Sequence, residues 1–287
     1  YEKSKGGKYA RLKLNEQADR KELSLPYLLK NGLKAHPQCP IKISDELVIY
    51  IDHYIKDTYS TDFFPECDYA DITIRQLLTH ATDLEPFIPN RDQLGSEALR
   101  EAMFHLNRRS QPAFLYSDVH FLLLGFLLEK IFEQDLDQII KEQVLTPWGM
   151  KETMFGPVEL AVPTVRGVEA GSIHDPKARL LGKHAGSAGL FSTVKDLQIF
   201  LEHYLKDDFA ENLSRNFSPL EDKERSLAWN LEGAWLDHTG YTGTFIMWNR
   251  EKQEAAIFLS NRTYEKDERA QWIVDRNQVM DMIRRER

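Results

Sequence analysis

The sequence is short of cysteine, of glycine and proline, and of long apolar runs, and each shortage removes a class of protein. Its 287 residues hold two cysteines, Cys39 and Cys67, too few for a disulfide framework or a structural zinc site. The two are free to pair, but the sequence does not require it. Fifteen glycines and 12 prolines exclude collagen-like and low-complexity chains, and no repeat or long linker divides the sequence. The longest dense apolar run, Phe121 to Leu128, falls far below the ~20 residues that cross a bilayer. No signal peptide is visible near the start, so a soluble chain is expected, either cytoplasmic or an exported mature form. With 37 basic against 45 acidic residues, a net charge of −8, and no long basic stripe, nucleic acid is an unfavoured partner.

What remains is an ordinary globular composition, 42 % hydrophobic and 29 % charged, long enough for a substantial core. The first 40 residues hold nine Lys or Arg against four Asp or Glu and differ in character from the rest. The chain begins at Tyr1 rather than Met, and the expectation is a processed product or a fragment. Residues 44–56 have a helical stripe, and Thr73-x-x-Gln76 is a capping-box signature opening a short helix that ends near His80. Ala81 to Asn90 reads as a surface loop, and Ser96 to Arg108 as an amphipathic helix.

The clearest helix runs from Val119 to Phe132, apolar nearly all round and therefore buried, with Asp118 as its expected N-cap. A further helix, 136–144, is expected to stop before Pro147, and 151–190 to be loop-rich. Ser192 to Leu205 reads as an amphipathic helix with Val194, Leu197, Leu201, Tyr204 and Leu205 on its buried side. Beyond it the period turns strand-like. Thr242 to Trp248 and Glu254 to Ser260 suggest an antiparallel hairpin, followed by a helix from about Glu268 to Ile283. The order of elements argues for an α+β fold.

Two stretches offer chemistry. Tyr116-Ser117-Asp118 stands at the N-terminus of the buried helix, where partial positive charge would stabilise a phenolate, lower the phenol's pKa and suit it to act as a general base. The plain alternative is that Tyr116 packs and Asp118 caps. His238-Thr239-Gly240-Tyr241-Thr242-Gly243 enters the strand region, where glycine permits close approach and free amides can stabilise an oxyanion. The plain alternative there is a glycine-rich strand entry. His80, His105, His120 and His203 read as surface or satisfied core residues. A metal site from His174, Asp175 and His184 lacks a spacing that would aim all three at one ion, and no metal or cofactor is expected.

Taken in order, Ile72-Thr73-Ile74-Arg75-Gln76-Leu77-Leu78-Thr79-His80, Tyr116-Ser117-Asp118 before Phe121-Leu122-Leu123-Leu124-Gly125, and Thr146-Pro147-Trp148-Gly149-Met150 with Thr153 form a series. It continues through Ser172-Ile173-His174-Asp175-Pro176, Ala185-Gly186-Ser187-Ala188-Gly189-Leu190-Phe191-Ser192-Thr193, His238-Thr239-Gly240 and Leu259-Ser260-Asn261-Arg262. This series resembles the serine β-lactamase family, which groups class C β-lactamases, DD-peptidases and related esterases. The resemblance implies an antiparallel sheet flanked by helices beside a helical region, with the active site at their junction. It implies a β-lactamase-like body at 71–287, helical over 72–205 and carrying sheet and C-terminal helix over 230–287, after a diverged or incomplete segment, 1–70. It also implies an acyl-enzyme hydrolase that acts on an amide or ester in a small-molecule or peptide substrate, as a monomer. Tyr116 matches the family's tyrosine base, Asp118 a position that is Asn in many members, and His238 the lysine of a Lys-Thr-Gly strand. Thr239, Gly240 and Tyr241 follow it, with the Tyr241 amide as an oxyanion donor.

The family's nucleophile lies in a Ser-x-x-Lys motif upstream of the first landmark, and this chain has none there. Ser4, Ser24, Ser44 and Ser60 are followed three residues on by Gly7, Tyr27, Leu47 and Phe63, and Ser24 has Lys30 six residues on. The one Ser-x-x-Lys, Ser192 to Lys195, puts its lysine on a polar face with Gln198, Glu202 and Lys206, where an ammonium is a poor base. Ser192 reads as an N-cap. An omitted segment, an unusual serine, or a catalytically inactive homologue that serves as a binding module would each explain the absence.

Overall fold

The computed structural model describes residues 2–3, 10–11, 68 and 72–285. The chain divides into two units, Tyr1–Thr73 and Ile74–Arg287. In the first, β1 (Glu2–Lys3) and β2 (Ala10–Arg11) pair antiparallel, Glu2 opposite Arg11. The expected helix at 44–56, both cysteines, and Ser24 with Lys30 lie outside the described residues.

The second unit opens with α1 (Ile74–Leu78), α2 (Ser96–Met103), α3 (Asp118–Phe132) and α4 (Leu136–Ile140). A loop-rich stretch then carries β3 (Met154–Phe155), α5 (Pro176–Leu181) and β4 (Leu190–Phe191), with β3 and β4 paired antiparallel. After α6 (Val194–Lys206) come β5 (Asn230–Glu232), β6 (Trp235–Thr239), β7 (Phe245–Asn249) and β8 (Glu254–Phe258), a four-stranded antiparallel sheet in sequence order. α7 (Arg269–Arg285) ends the unit. Among the described residues no helix is long and apolar enough to cross a membrane.

The two-residue period of the strands sorts the sheet's faces. Trp235, Phe245 and Met247 pack with Met280 and Ile283 of α7. Trp248, of opposite parity, meets Tyr204 of α6 with ring centroids 5.4 Å apart. The sheet is therefore clasped between α7 and α6, as an α+β layering requires.

The expected buried helix is α3, whose Leu122, Leu123 and Phe126 are fully buried. Its cap is Ser117, not Asp118: the extended Ser117 backbone brings its Oγ to accept from the Val119 N–H at 3.2 Å. Asp118 becomes the first helical residue, and its carboxylate is left for another partner. At α6 the cap is Thr193, which accepts from the Asp196 N–H at 3.3 Å, rather than Ser192. Val194 is 49 % exposed, contrary to the expected stripe, because the first helical turn lies ahead of the part of α6 that carries the buried Leu201 and meets the sheet. The α4 helix does not stop before Pro147. It passes through a π turn, Lys141–Leu145, into Thr146–Trp148, and ends at Gly149 with φ 75°. Proline is tolerated there because it begins a new turn.

Residues 81–90 are not a surface loop throughout. Ala81, Thr82 and Leu84 are buried, because the segment's polar groups find partners inside: Arg109 Nη2 donates to the Thr82 carbonyl at 2.6 Å, and Thr82 Oγ1 bonds His120 Nε2 at 2.8 Å.

The loop before β4 crosses α3 at a pair of glycines. A Cβ on Gly186 would stand 2.1 Å from the Phe121 carbonyl oxygen, and one on Gly125 3.2 Å from Gly186 Cα. Since the clash is with backbone, Gly186→Ala is expected to cost roughly 3 kcal/mol, read as a fall in the urea midpoint. A variant as stable as the parent would show that this crossing is loose.

Candidate active site

Tyr116 and His238 reach one groove from opposite sides of the fold. Tyr116 ends the extended segment before α3, and that segment is tied down by the Leu115 N–H, which donates to the His80 carbonyl at 3.1 Å. Its half-exposed ring lies 4.5 Å from His80 and 6.2 Å from His238, centroid to centroid. His238 lies within β6, not ahead of the first strand as the sequence suggested. The charged Asp237 disguises this strand, and Gly240 to Thr244 forms the tight connection to β7, with the Gly240 N–H bonded to the Thr244 carbonyl at 2.7 Å. Strand parity explains the direction: Asp237 faces α7, where Arg284 Nη2 donates to it at 2.9 Å, and His238 faces the other way, toward Tyr116.

The electrostatics depart from the sequence-based expectation. The Tyr116 phenol is raised above its ordinary pKa, first by burial and then by Asp118, while Arg225 acts in the opposite direction. Loss of water outweighs the partial positive charge of the helix end. His238 is lowered by burial and by Arg225, so it is neutral at pH 7.

Asp118 does not face the groove as a free carboxylate. Its Oδ2 accepts from Lys177 Nζ at 2.9 Å, and Asp175 lies 3.7 Å from the same ammonium. Thr239, Gly240 and Tyr241 line the groove with Tyr116 and His238. The Tyr241 hydroxyl donates to Asp267, and the guanidinium carbons of Arg262 and Arg269 lie 5.2 and 5.4 Å from the centre of its ring. That hydrogen bond raises the Tyr241 phenol's pKa and anchors the side chain at the rim.

Ser192 is part of a structural tie. Its Oγ meets Thr153 Oγ1 at 2.8 Å, Thr153 donates to Asp196 Oδ2 at 2.8 Å, and Lys195 is exposed. Among the described residues the one cluster of possible metal ligands is Glu129, Asp135 and His184, and each is already engaged. His184 Nδ1 bonds Glu129 Oε1 at 2.5 Å, Lys183 pairs with Asp135 at 2.5 Å, and Arg100 with Glu129 at 3.3 Å. His174, considered in the sequence as a possible ligand, bonds Thr164 Oγ1 at 3.0 Å.

Three groove-side residues are not legible in the sequence: His80, Lys177 and Arg225. His80, an ordinary core or surface histidine by sequence, is fully buried and packs beneath Tyr116, with Nδ1 2.8 Å from Nδ1 of His120. Lys177 is the second residue of α5, and Arg225 lies between α6 and β5. Neither carries a spacing signal, and only tertiary folding brings them to Tyr116.

An α+β architecture with a groove beside its antiparallel sheet is thereby defined. The Beta-lactamase family model matches residues 18–280, and the chain belongs to that family. Relatives include two proteins provisionally named D-alanyl-D-alanine carboxypeptidase. That of Escherichia coli O157:H7 is 26 % identical over 196 residues, covering 52 % of this chain and 45 % of the relative. That of Salmonella enteritidis PT4 is 25 % identical over 281 residues, covering 81 % and 61 %. The chain thus spans about half to three-fifths of the length of these relatives. Among solved structures, a beta-lactamase/D-alanine carboxypeptidase from Pseudomonas syringae superposes with a TM-score of 0.54 at 15 % identity, covering 78 % of this chain and 77 % of that one. A class C beta-lactamase mutant gives a TM-score of 0.58 at 13 % identity, covering 78 % and 79 %. At these identities the likeness is one of fold.

Proposed function

We propose that the chain is a β-lactamase-like serine hydrolase that cleaves an amide, lactam or ester through an acyl-enzyme. In this reading Tyr116 handles the nucleophile's proton, His238 flanks the reacting group as a neutral imidazole, and the Tyr241 amide donates to the oxyanion. The observation that carries it is the convergence of Tyr116 and His238, from distant parts of the sequence, to ring centroids 6.2 Å apart on one groove. Membership of the Beta-lactamase family and the names of the carboxypeptidase relatives support the same chemistry. Asp118, held by Lys177, and Thr239 with Gly240 would shape the wall that receives the substrate.

One observation favours a second reading, a fold that binds a peptide or cell-wall fragment without turning it over. The only Ser-x-x-Lys in the sequence is Ser192 to Lys195, and its serine is committed to Thr153. Incubating the full chain with a fluorophosphonate, and separately with labelled penicillin, followed by intact-mass measurement and peptide mapping, separates the two. A single adduct on one serine is expected. A folded protein left unmodified, beside a control enzyme that is labelled, would replace the hydrolase reading with the binding one.

A further inference from the structure

Arg225 is 1 % exposed and forms no salt bridge among the described residues. Its Nη1 donates to Asn230 Oδ1 at 2.5 Å, and its guanidinium carbon lies 5.5 Å from the centre of the Phe114 ring. Nε and Nη2 have no hydrogen-bond partner. A buried guanidinium left half unsatisfied is costly, and such a cost persists where a charge is put to use.

Its position is fixed together with that of Tyr116. The Arg225 N–H donates to Asn216 Oδ1 at 3.1 Å, and its carbonyl accepts from the Phe217 N–H at 2.8 Å. Three residues on, the Ala228 N–H donates to the Leu78 carbonyl at 3.0 Å, while the Leu115 N–H is tied to His80 in the same turn. Both segments therefore rest on the C-terminal end of α1 and the turn that follows it, and Arg225, Phe114, Tyr116 and His238 line one groove.

Among the described residues, the other charged and titratable groups near Tyr116 are accounted for. His80 and His238 are neutral, kept so by burial with Arg225 contributing, and His120 is neutral behind His80. Lys177 is matched by Asp118 and Asp175. Asp237 is engaged by Arg284 and Asn230. Lys223 reaches the Phe114 ring at 5.3 Å from an exposed position. Arg225 shares the groove with Tyr116 and acts on its phenol, and although it also feels Asp237 through Asn230, it forms no salt bridge with a described carboxylate.

We propose that Arg225 is a positioning residue whose buried, unpaired guanidinium supplies the counter-charge for Tyr116 when the phenol gives up its proton. The proposal rests on the reading of Tyr116 as the base, and its test needs no turnover. The full chain is prepared with 3-fluorotyrosine, whose phenol ionises at lower pH. The Tyr116 fluorine signal is assigned by its loss in Tyr116→Phe, and its titration is followed in the parent, Arg225→Met, Arg225→Lys and Asn230→Leu.

Arg225→Met is expected to move the Tyr116 midpoint up by about one pH unit. Arg225→Lys should return most of that shift, and Asn230→Leu, which keeps the charge, should leave the midpoint in place. The melting temperature of Arg225→Met should equal or exceed that of the parent, because an unpaired buried charge is removed. Arg225→Gln makes the same comparison if the methionine chain does not fold. An unchanged midpoint in a folded, uncharged variant would overturn the proposal, as would an equal shift in Asn230→Leu, which would mark the effect as structural. A protein that resists serine probes yet shows the shift fails the hydrolase reading and keeps this one.

Discussion

Acidification from pH 7 to about 4.5 is expected to strip the protein of some 5 kcal/mol of stability, comparable to the whole margin of many domains. The cause is the buried pair of His80 and His120, whose Nδ1 atoms lie 2.8 Å apart. Burial, reinforced by the neighbouring His120, Arg225 and His238, pushes His80 down to about 2 from the ordinary 6.5, and burial with Arg109 pushes His120 down to about 4. One ring must donate to the other, and a second proton would set two donors face to face. The unfolded chain protonates both histidines below about 6.5, while the folded chain takes up neither until lower pH. The unfolded state therefore binds up to two more protons, and stability, fully present above that pH, falls by about 1.4 kcal/mol per pH unit for each histidine. His120 stops contributing to the slope below about 4, and His80 continues toward about 2. Urea midpoints between pH 7 and 5 measure this slope. His120→Asn, which cannot protonate, should remove about half of it. A parent whose midpoint is flat over that range, or a variant with the parent's slope, would show that the pair is not held neutral.

The elements legible in the sequence are those whose pattern is set locally. α3 announces itself because Leu122, Leu123, Phe126 and Leu127 leave no polar face, and all four are buried. The β7–β8 hairpin follows from two β-rich runs around a polar turn, with Ile246 opposite Ile257. The caps lie one residue from the expected position at both α3 and α6. Adjacent polar residues, Ser117 beside Asp118 and Ser192 beside Thr193, are equivalent in sequence, and only backbone geometry chooses between them. β6 was hidden because its Asp237 and His238 break the apolar pattern, although each has a buried or groove-facing reason to be there.

The candidate site divides along the same line. The order of motifs was sufficient to single out Tyr116, His238 and the Thr239-Gly240-Tyr241 turn, and the fold brings them to one groove. The environment was not legible. Reading the phenol from the helix end alone gave the wrong direction, because the partners that set its ionisation, His80, Asp118 and Arg225, converge through tertiary contacts. Lys177 and Arg225 carry no periodicity, and their significance lies in what they pair with, or do not.

Tyr116→Phe is expected to slow acylation by roughly 10²- to 10⁴-fold, the range over which a positioned proton-transfer group acts. The same substitution should leave thermal stability within about 0.5 kcal/mol of the parent, because the ring is half exposed and its hydroxyl has no hydrogen-bond partner among the described residues. That combination separates chemistry from packing. A tyrosine kept for structure would lose stability and keep its rate, whereas one kept as a base loses rate and keeps stability. The measurement is the time course of serine-probe labelling for the parent and variant at matched pH, with melting temperatures alongside. Labelling of the phenylalanine variant at the parent's rate would remove Tyr116 from the proton pathway. His80 would then be the next group to test, since its unpartnered Nε2 lies within a ring packed 4.5 Å from the Tyr116 ring.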